Sequence, residues 1–381
     1  MARVKLITAR EDVPPEQGAL FDELAALRGR ISGPSSVVMY SAALARPWNE
    51  ISEYLHRDSV VEANDAELAV CATARHYDCS YIWNAHVGLA RKAGVSDAAL
   101  TAVRDRTWVP AGTSQGEALV VQYVRDVLGR NRVRGEVFAA LLAAHDERWL
   151  VELTLWIGRY AALAGILNAF EVSPAEGAEV LPELPLSKDA RAARRPLLKP
   201  RIRQLTSRDM VAEADHGVFD AVAEGRGNVR GPFSLLMHSP PMCQRILDLS
   251  NVLRFGCLLT PYLRELVTIA TAREKDCNYV WAAHAPAARK EGVAESTIAL
   301  VRERGDVSGI EPGDRDAIEY VRALLRTHRV PLELFERLTA LHGTPRLVEM
   351  TCLMGHYGMV SALLNACEVA PAEGAEELPL Y

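Results

Sequence analysis

The sequence predicts an all-α protein made of two tandem copies of one helical domain. Three observations predict it. Apolar residues recur at helical spacing through most of the chain, and period-two alternation is nearly absent. Two long segments also recur at a nearly constant offset. Residues 67–95 (ELAVCATARHYDCSYIWNAHVGLARKAGV) align with 265–293 (ELVTIATAREKDCNYVWAAHAPAARKEGV), with 17 of 29 positions identical at an offset of 198. Residues 150–179 align with 347–376 at an offset of 197. The amino-terminal edges pair too, Thr8 to Glu11 with Thr206 to Asp209, and Gly33-Pro34 with Gly231-Pro232. The expected domains are 1–190 and 199–381, each long enough to bury a core. They are joined through LPELPLSKDARAARRPLLKP, whose prolines and charges read as a linker.

Each helix follows from local pattern. Residues 35–56 (SSVVMYSAALARPWNEISEYLH) place their apolar residues on one face, and 66–77 (AELAVCATARHY) do likewise. Asp78 reads as an N-cap, a short acceptor before a new periodic run. The run extends from about Cys79 to Lys92, with Arg91 and Lys92 at its negative end and Gly94 as its stop. Ser96 caps the next helix, and residues 116–128, 134–145 and 147–170 continue the series. The glycine-rich 225–232 (GRGNVRGP) lacks a following Gly-Lys-Ser/Thr, so it reads as a connector rather than a phosphate loop.

Composition narrows the function classes. The net charge is −6 and basic residues form no dense stripe, so nucleic acid is not an expected partner. The amino-terminal stretch has no apolar core of the signal-peptide kind, and no apolar run reaches a membrane span; Arg159 interrupts the longest. These readings give the expectation of a cytoplasmic protein without a membrane partner. Seven cysteines with no CxxC pair argue against a disulfide framework, a zinc ribbon or a dithiol centre, and no HExxH motif occurs, so no metal site is expected.

The strongest motif spans a helical hairpin. Cys79, Trp83 and His86 lie at i, i+4 and i+7 on one face. Glu67, on the preceding helix, is about as far before the turn as His86 is after it, so carboxylate and imidazole are expected to meet. The carboxylate would fix the imidazole's tautomer and raise its basicity. Cys79, in the first helical turn, is expected to gain thiolate character. Glu265, Cys277, Trp281 and His284 repeat the spacing. One such copy alone reads more readily as core packing. Two copies that keep Glu, Cys, Trp and His while neighbours change, as Asn84 to Ala282, argue for chemistry or for a buried polar network.

At these residues the chain resembles the carboxymuconolactone decarboxylase / alkylhydroperoxidase D-like family. The resemblance is carried by Glu67, Cys79, Trp83, His86 and GRYAALAGILNAFEV from Gly158, and by Glu265, Cys277, Trp281, His284 and GHYGMVSALLNACEV from Gly355. It implies an all-α fold and a homo-oligomer, here a dimer or trimer of tandem chains. The peroxidase branch uses a CxxC pair; here the second thiol position is Ile82 in one copy and Val280 in the other, which opposes a dithiol cycle. The decarboxylase branch implies acid–base chemistry on a small lactone acid without a metal or organic cofactor.

The expected reading is a cofactor-free lyase or isomerase acting on a small lactone or carbonyl acid. His86 and His284 serve as bases oriented by Glu67 and Glu265, Cys79 and Cys277 as proton or hydrogen-bond donors, and Trp83 and Trp281 as pocket walls. The late helices add Arg159 and Tyr160 in one copy and His356 and Tyr357 in the other; His238 replaces Tyr40. Arg159 is a candidate for gripping a carboxylate. If one copy acts, the extra histidines 238 and 356 favour the second. The rival readings are a single-cysteine thiol peroxidase and a non-catalytic assembly member. Glu152, Glu349, Asn168 and Asn365 also persist and read as interhelical ties.

Overall fold

The computed structural model describes residues 2–108, 110, 113–182 and 199–379. The expected linker falls largely on 183–198, outside the described residues. The fold is all-α, and no strand occurs among the described residues.

The first repeat runs α1 (Gly18–Arg28), α2 (Pro34–Val38), α3 (Ala42–Arg57), α4 (Ala63–His76), α5 (Ser80–Lys92), α6 (Asp97–Arg104), α7 (Gln115–Gly129), α8 (Gly135–Ala144) and α9 (Glu147–Ala169). The second runs α10 (His216–Arg226), α11 (Pro232–Leu236), α12 (Pro240–Asn251), α13 (Pro261–Glu274), α14 (Asn278–Lys290), α15 (Glu295–Arg302), α16 (Pro312–Arg326) and α17 (Leu332–Ala366). α17 bends at Gly343, whose φ is +77°, where the first repeat breaks into α8 and α9. A π-helical turn, Val252–Gly256, extends α12. The apolar stretch expected to form one helix over 35–56 divides into α2 and α3, with Ser41 as the N-cap of α3.

The hairpin turn differs from expectation. Asp78 and Asp276 have φ of +50° and +52°, a left-handed conformation that a short polar side chain tolerates. Asp78 therefore closes the turn rather than capping α5; Cys79 is the N-cap residue. The Asp78 carboxylate accepts from Arg106 Nη2 at 2.7 Å, and Asp276 accepts from Arg304 Nη2 at 2.7 Å. Asn168 and Asn365 tie the turns to the late helices by donating to the carbonyls of Tyr77 (2.8 Å) and Lys275 (2.7 Å).

One apolar core runs through both repeats. Its centre is the crossing of α9 and α17, the most extensive helix pair. Both helices are long and apolar enough to cross a membrane, but 94% and 83% of their apolar windows are buried inside the fold. Gly158 and Gly355 allow the close approach. A Cβ on Gly158 would lie 2.9 Å from Met359 Cα, and one on Gly355 2.6 Å from Ala162 Cβ. The repeats also exchange reciprocal bonds: Arg3 Nη2 donates to Val330 O (2.7 Å) and Arg201 Nη1 to Val133 O (2.8 Å).

Candidate active site

The hairpin geometry brings Glu and His together in both repeats. On α4 and α5, Glu67 Oε2 accepts from His86 Nδ1 at 2.8 Å; on α13 and α14, Glu265 Oε2 accepts from His284 Nδ1 at 2.7 Å. A carboxylate acceptor places the proton on Nδ1, which leaves the lone pair on Nε2. Burial opposes ionisation of Glu265, but the hydrogen bond and charge of His284, with Arg264, outweigh it and hold the carboxyl below its ordinary value.

A tyrosine from the late helix meets each imidazole edge to face, Tyr160 at 5.0 Å from His86 and Tyr357 at 4.9 Å from His284. Their surroundings then diverge. His56 Nδ1 donates to Ser52 O at 2.7 Å, so its Nε2 accepts from the Tyr160 hydroxyl at 3.0 Å. Trp156 stacks on Tyr160 and lies edge-on to His56. In the second repeat the position of His56 is Arg254 and that of Trp156 is Leu353. Arginine cannot accept a hydrogen bond, so the Tyr357 proton is not drawn away in the same manner. His284, Tyr357 and His356 line a cavity of about 100 Å³, together with Arg226, Tyr279 and apolar side chains. At roughly 15 Å³ per water this is room for about seven waters, the size of a small molecule.

Several expected site residues lie elsewhere. Cys79 and Cys277 are N-cap residues seven positions before the histidines, about 10 Å along the helix axis. They are 2% and 0% exposed, and burial pushes both thiols up to about 11. The N–H groups of the first turn act the other way but are outweighed, so the expected thiolate character is overturned. Cys277 does not line the His284 cavity; Cys79 faces a separate one with Arg329 and Asn168. The indole N–H groups of Trp83 and Trp281 donate to Glu179 (3.3 Å) and Glu376 (3.1 Å), which fastens the segment after each late helix. Trp281 is fully buried and is not a wall of the cavity.

Arg159 is 2% exposed, donates to Ser52 Oγ at 2.9 Å and stacks over Trp48 at 4.4 Å. It packs within the core rather than offering a free fork for a carboxylate. His238 lies 2.7 Å from Arg203 O, as the Tyr40 hydroxyl lies 2.8 Å from Lys5 O. Both latch an amino-terminal segment, so His238 gives the second cavity nothing. His356 does line it.

Arg226 escaped the sequence reading. It closes α10 and is the second residue of the stretch taken as a connector, yet its side chain reaches the cavity. The Arg-Gly pairs at 28–29 and 226–227 align between the copies, a signal that reads equally well as an ordinary helix end.

Comparison with known proteins agrees with part of this picture. No curated protein matches the chain. The family model described as "Carboxymuconolactone decarboxylase family" matches residues 240–323. That span runs from α12 into α16 and carries Glu265, Cys277, Trp281 and His284, so the second repeat is similar to that family over these residues.

Proposed function

We propose that the chain is an acid–base enzyme for a small lactone or carbonyl acid, needing no metal or organic cofactor, with its reaction centre in the second repeat. The observation that carries the reading is the Glu265–His284 pair, 2.7 Å apart, in the wall of a cavity shared with Tyr357. His284 Nε2 takes a proton from the carbon beside the substrate carbonyl, and the C–H electron pair moves into the C=O to form an enolate. The Tyr357 hydroxyl hydrogen-bonds the enolate oxygen, and the imidazolium returns its proton to carbon. In a decarboxylation the same enolate forms when the C–C bond to the carboxylate breaks and CO2 leaves; carbon then takes a proton supplied from solvent through His284 Nε2. Glu265 holds the ring in the tautomer that presents Nε2 and stabilises its cationic form.

The thiol-redox reading has less support, because Cys79 and Cys277 are buried and held as neutral thiols.

Small lactone and 2-oxo acids incubated with the protein in D2O and followed by proton NMR test the proposal. Deuterium enters the acidic carbon with the wild-type chain, and the His86→Gln/His284→Gln double variant slows this by about 10²–10⁴-fold. Exchange at the wild-type rate in the double variant refutes the acid–base role.

A further inference from the structure

The second cavity carries a cation that the fold leaves without a counter-ion. Arg226 Nη2 donates to Ser250 Oγ (2.9 Å) and Asn251 Oδ1 (3.1 Å), and the guanidinium lies over the Phe233 ring at 5.2 Å. None of these partners is charged, and no carboxylate pairs with Arg226 among the described residues. Its Nε is buried without an acceptor. Beside it His356, 4% exposed, has a buried Nδ1 that is likewise unpartnered. A buried donor without an acceptor costs about 1–3 kcal/mol, and an anion entering here would relieve that cost.

The charge around this cavity points the same way. Burial lowers Arg226 to about 10 and His356 to about 3, so near neutral pH the first stays cationic and the second neutral. Arg254 and Arg264 stand close enough to act on the Tyr357 hydroxyl, with Glu265 the carboxylate among them. The corresponding first-repeat positions are His56 and Ala66. The remaining wall is apolar, from Leu236, Ile246, Val360 and Leu364.

We propose that the second cavity binds a small aliphatic carboxylate, its carboxylate group held by Arg226 and His356 and its chain lying along Leu236, Ile246 and Leu364. Arg226 then sets the charge specificity of this cavity, and His356, Arg254 and Arg264, which stand where the first repeat has Arg159, His56 and Ala66, set the second repeat apart. The step from bound anion to substrate rests on the proposed acid–base role of Glu265–His284.

Calorimetric titration of the full chain with butyrate, and with neutral butyramide, tests it. Butyrate is expected to bind once per chain and at least 10-fold more tightly than butyramide. Arg226→Gln is expected to weaken butyrate at least 10-fold while leaving butyramide unchanged, and Arg226→Lys to fall between. His284→Gln is expected to keep butyrate binding, so loss of turnover in that variant with binding intact separates the two proposals. Equal affinity for butyrate and butyramide, two equal butyrate sites per chain, or unchanged butyrate binding in Arg226→Gln overturns the inference. Should Arg226→Gln fail to fold, the butyrate-to-butyramide ratio of the wild-type chain decides alone.

Discussion

Ser239 Oγ of the second repeat donates a 2.7 Å hydrogen bond to Glu152 Oε1 of the first, and Ser41 of the first repeat makes the equivalent 2.7 Å bond to Glu349 of the second. The repeats are thus clasped reciprocally on both sides of the α9–α17 crossing. The carboxylates differ in their other partners. Glu152 also accepts from Tyr54, Ser59, Val60 N and Arg148. Glu349 also accepts from Leu258 N at 2.6 Å. Burial opposes ionisation of both; the donors around Glu152 outweigh it and lower the carboxyl, while Glu349 stays raised.

Opposite pH behaviour follows for the two clasps. A lowered folded-state value means that Glu152 stabilises the fold above its ordinary 4.5 and that this contribution is lost as pH falls through the lowered value. A raised value means that Glu349 favours the fold most when protonated, a contribution lost as pH rises. Denaturant unfolding at neutral pH should show Glu152→Gln destabilised by about 2 kcal/mol and Glu349→Gln by less. The gap between wild type and Glu152→Gln should close on acidification.

The helix crossing is sensitive to a single methyl group. Gly158→Ala and Gly355→Ala each place Cβ against atoms under 3.0 Å away, Met359 Cα in one case and Ala162 Cβ in the other. Each should lower unfolding free energy by about 1–3 kcal/mol, read from the shift of the urea midpoint. Full stability in both variants would show that the crossing is looser than the structure has it.

Thiol accessibility separates the cysteines. Cys71, Cys79, Cys243, Cys277, Cys352 and Cys367 are buried, whereas Cys257 is half-buried, its Sγ 3.1 Å from Leu253 O. Titration of the native protein with a chromogenic disulfide reagent at mildly alkaline pH should modify Cys257 alone, and the others only on unfolding. Rapid modification of Cys79 or Cys277 would revive the redox reading.

Much of this molecule was legible in its sequence, and the reasons for the rest are specific. The hairpin that sets Glu67 against His86 follows from helix spacing and the symmetry of the two arms about a turn. Cys79 and Trp281 were misplaced because the face rule holds only within a helix. Cys79, at φ −91° and ψ 87°, lies outside its regular part, and a turn of 60° about the axis between positions 281 and 284 is enough to take an indole out of a small cavity. Arg159 and His238 were misread, and Arg226 was missed, because their partners, Ser52, Arg203 and Ser250, lie 107, 35 and 24 residues away. A two-copy comparison shows that a residue was kept, not what it touches. The Ser239–Glu152 clasp crosses between repeats and leaves no local pattern.

Tyr160 and Tyr357 occupy equivalent places with different consequences. Tyr160→Phe removes the hydroxyl bonded to His56 and should cost about 1 kcal/mol of stability with little effect on turnover. Tyr357→Phe should slow turnover by about 10-fold or more with stability nearly unchanged. Equal kinetic effects would mean that both copies work alike.

The central claim is that Glu265 holds His284 with its proton on Nδ1 and its lone pair on Nε2. Nitrogen-15 NMR of the histidine rings at neutral pH tests this most directly. The account predicts the Nδ1–H tautomer for His284 in the wild-type chain and a mixture shifted toward Nε2–H in Glu265→Ala. An Nε2–H tautomer in the wild-type chain, or a His284 spectrum untouched by loss of Glu265, would contradict it.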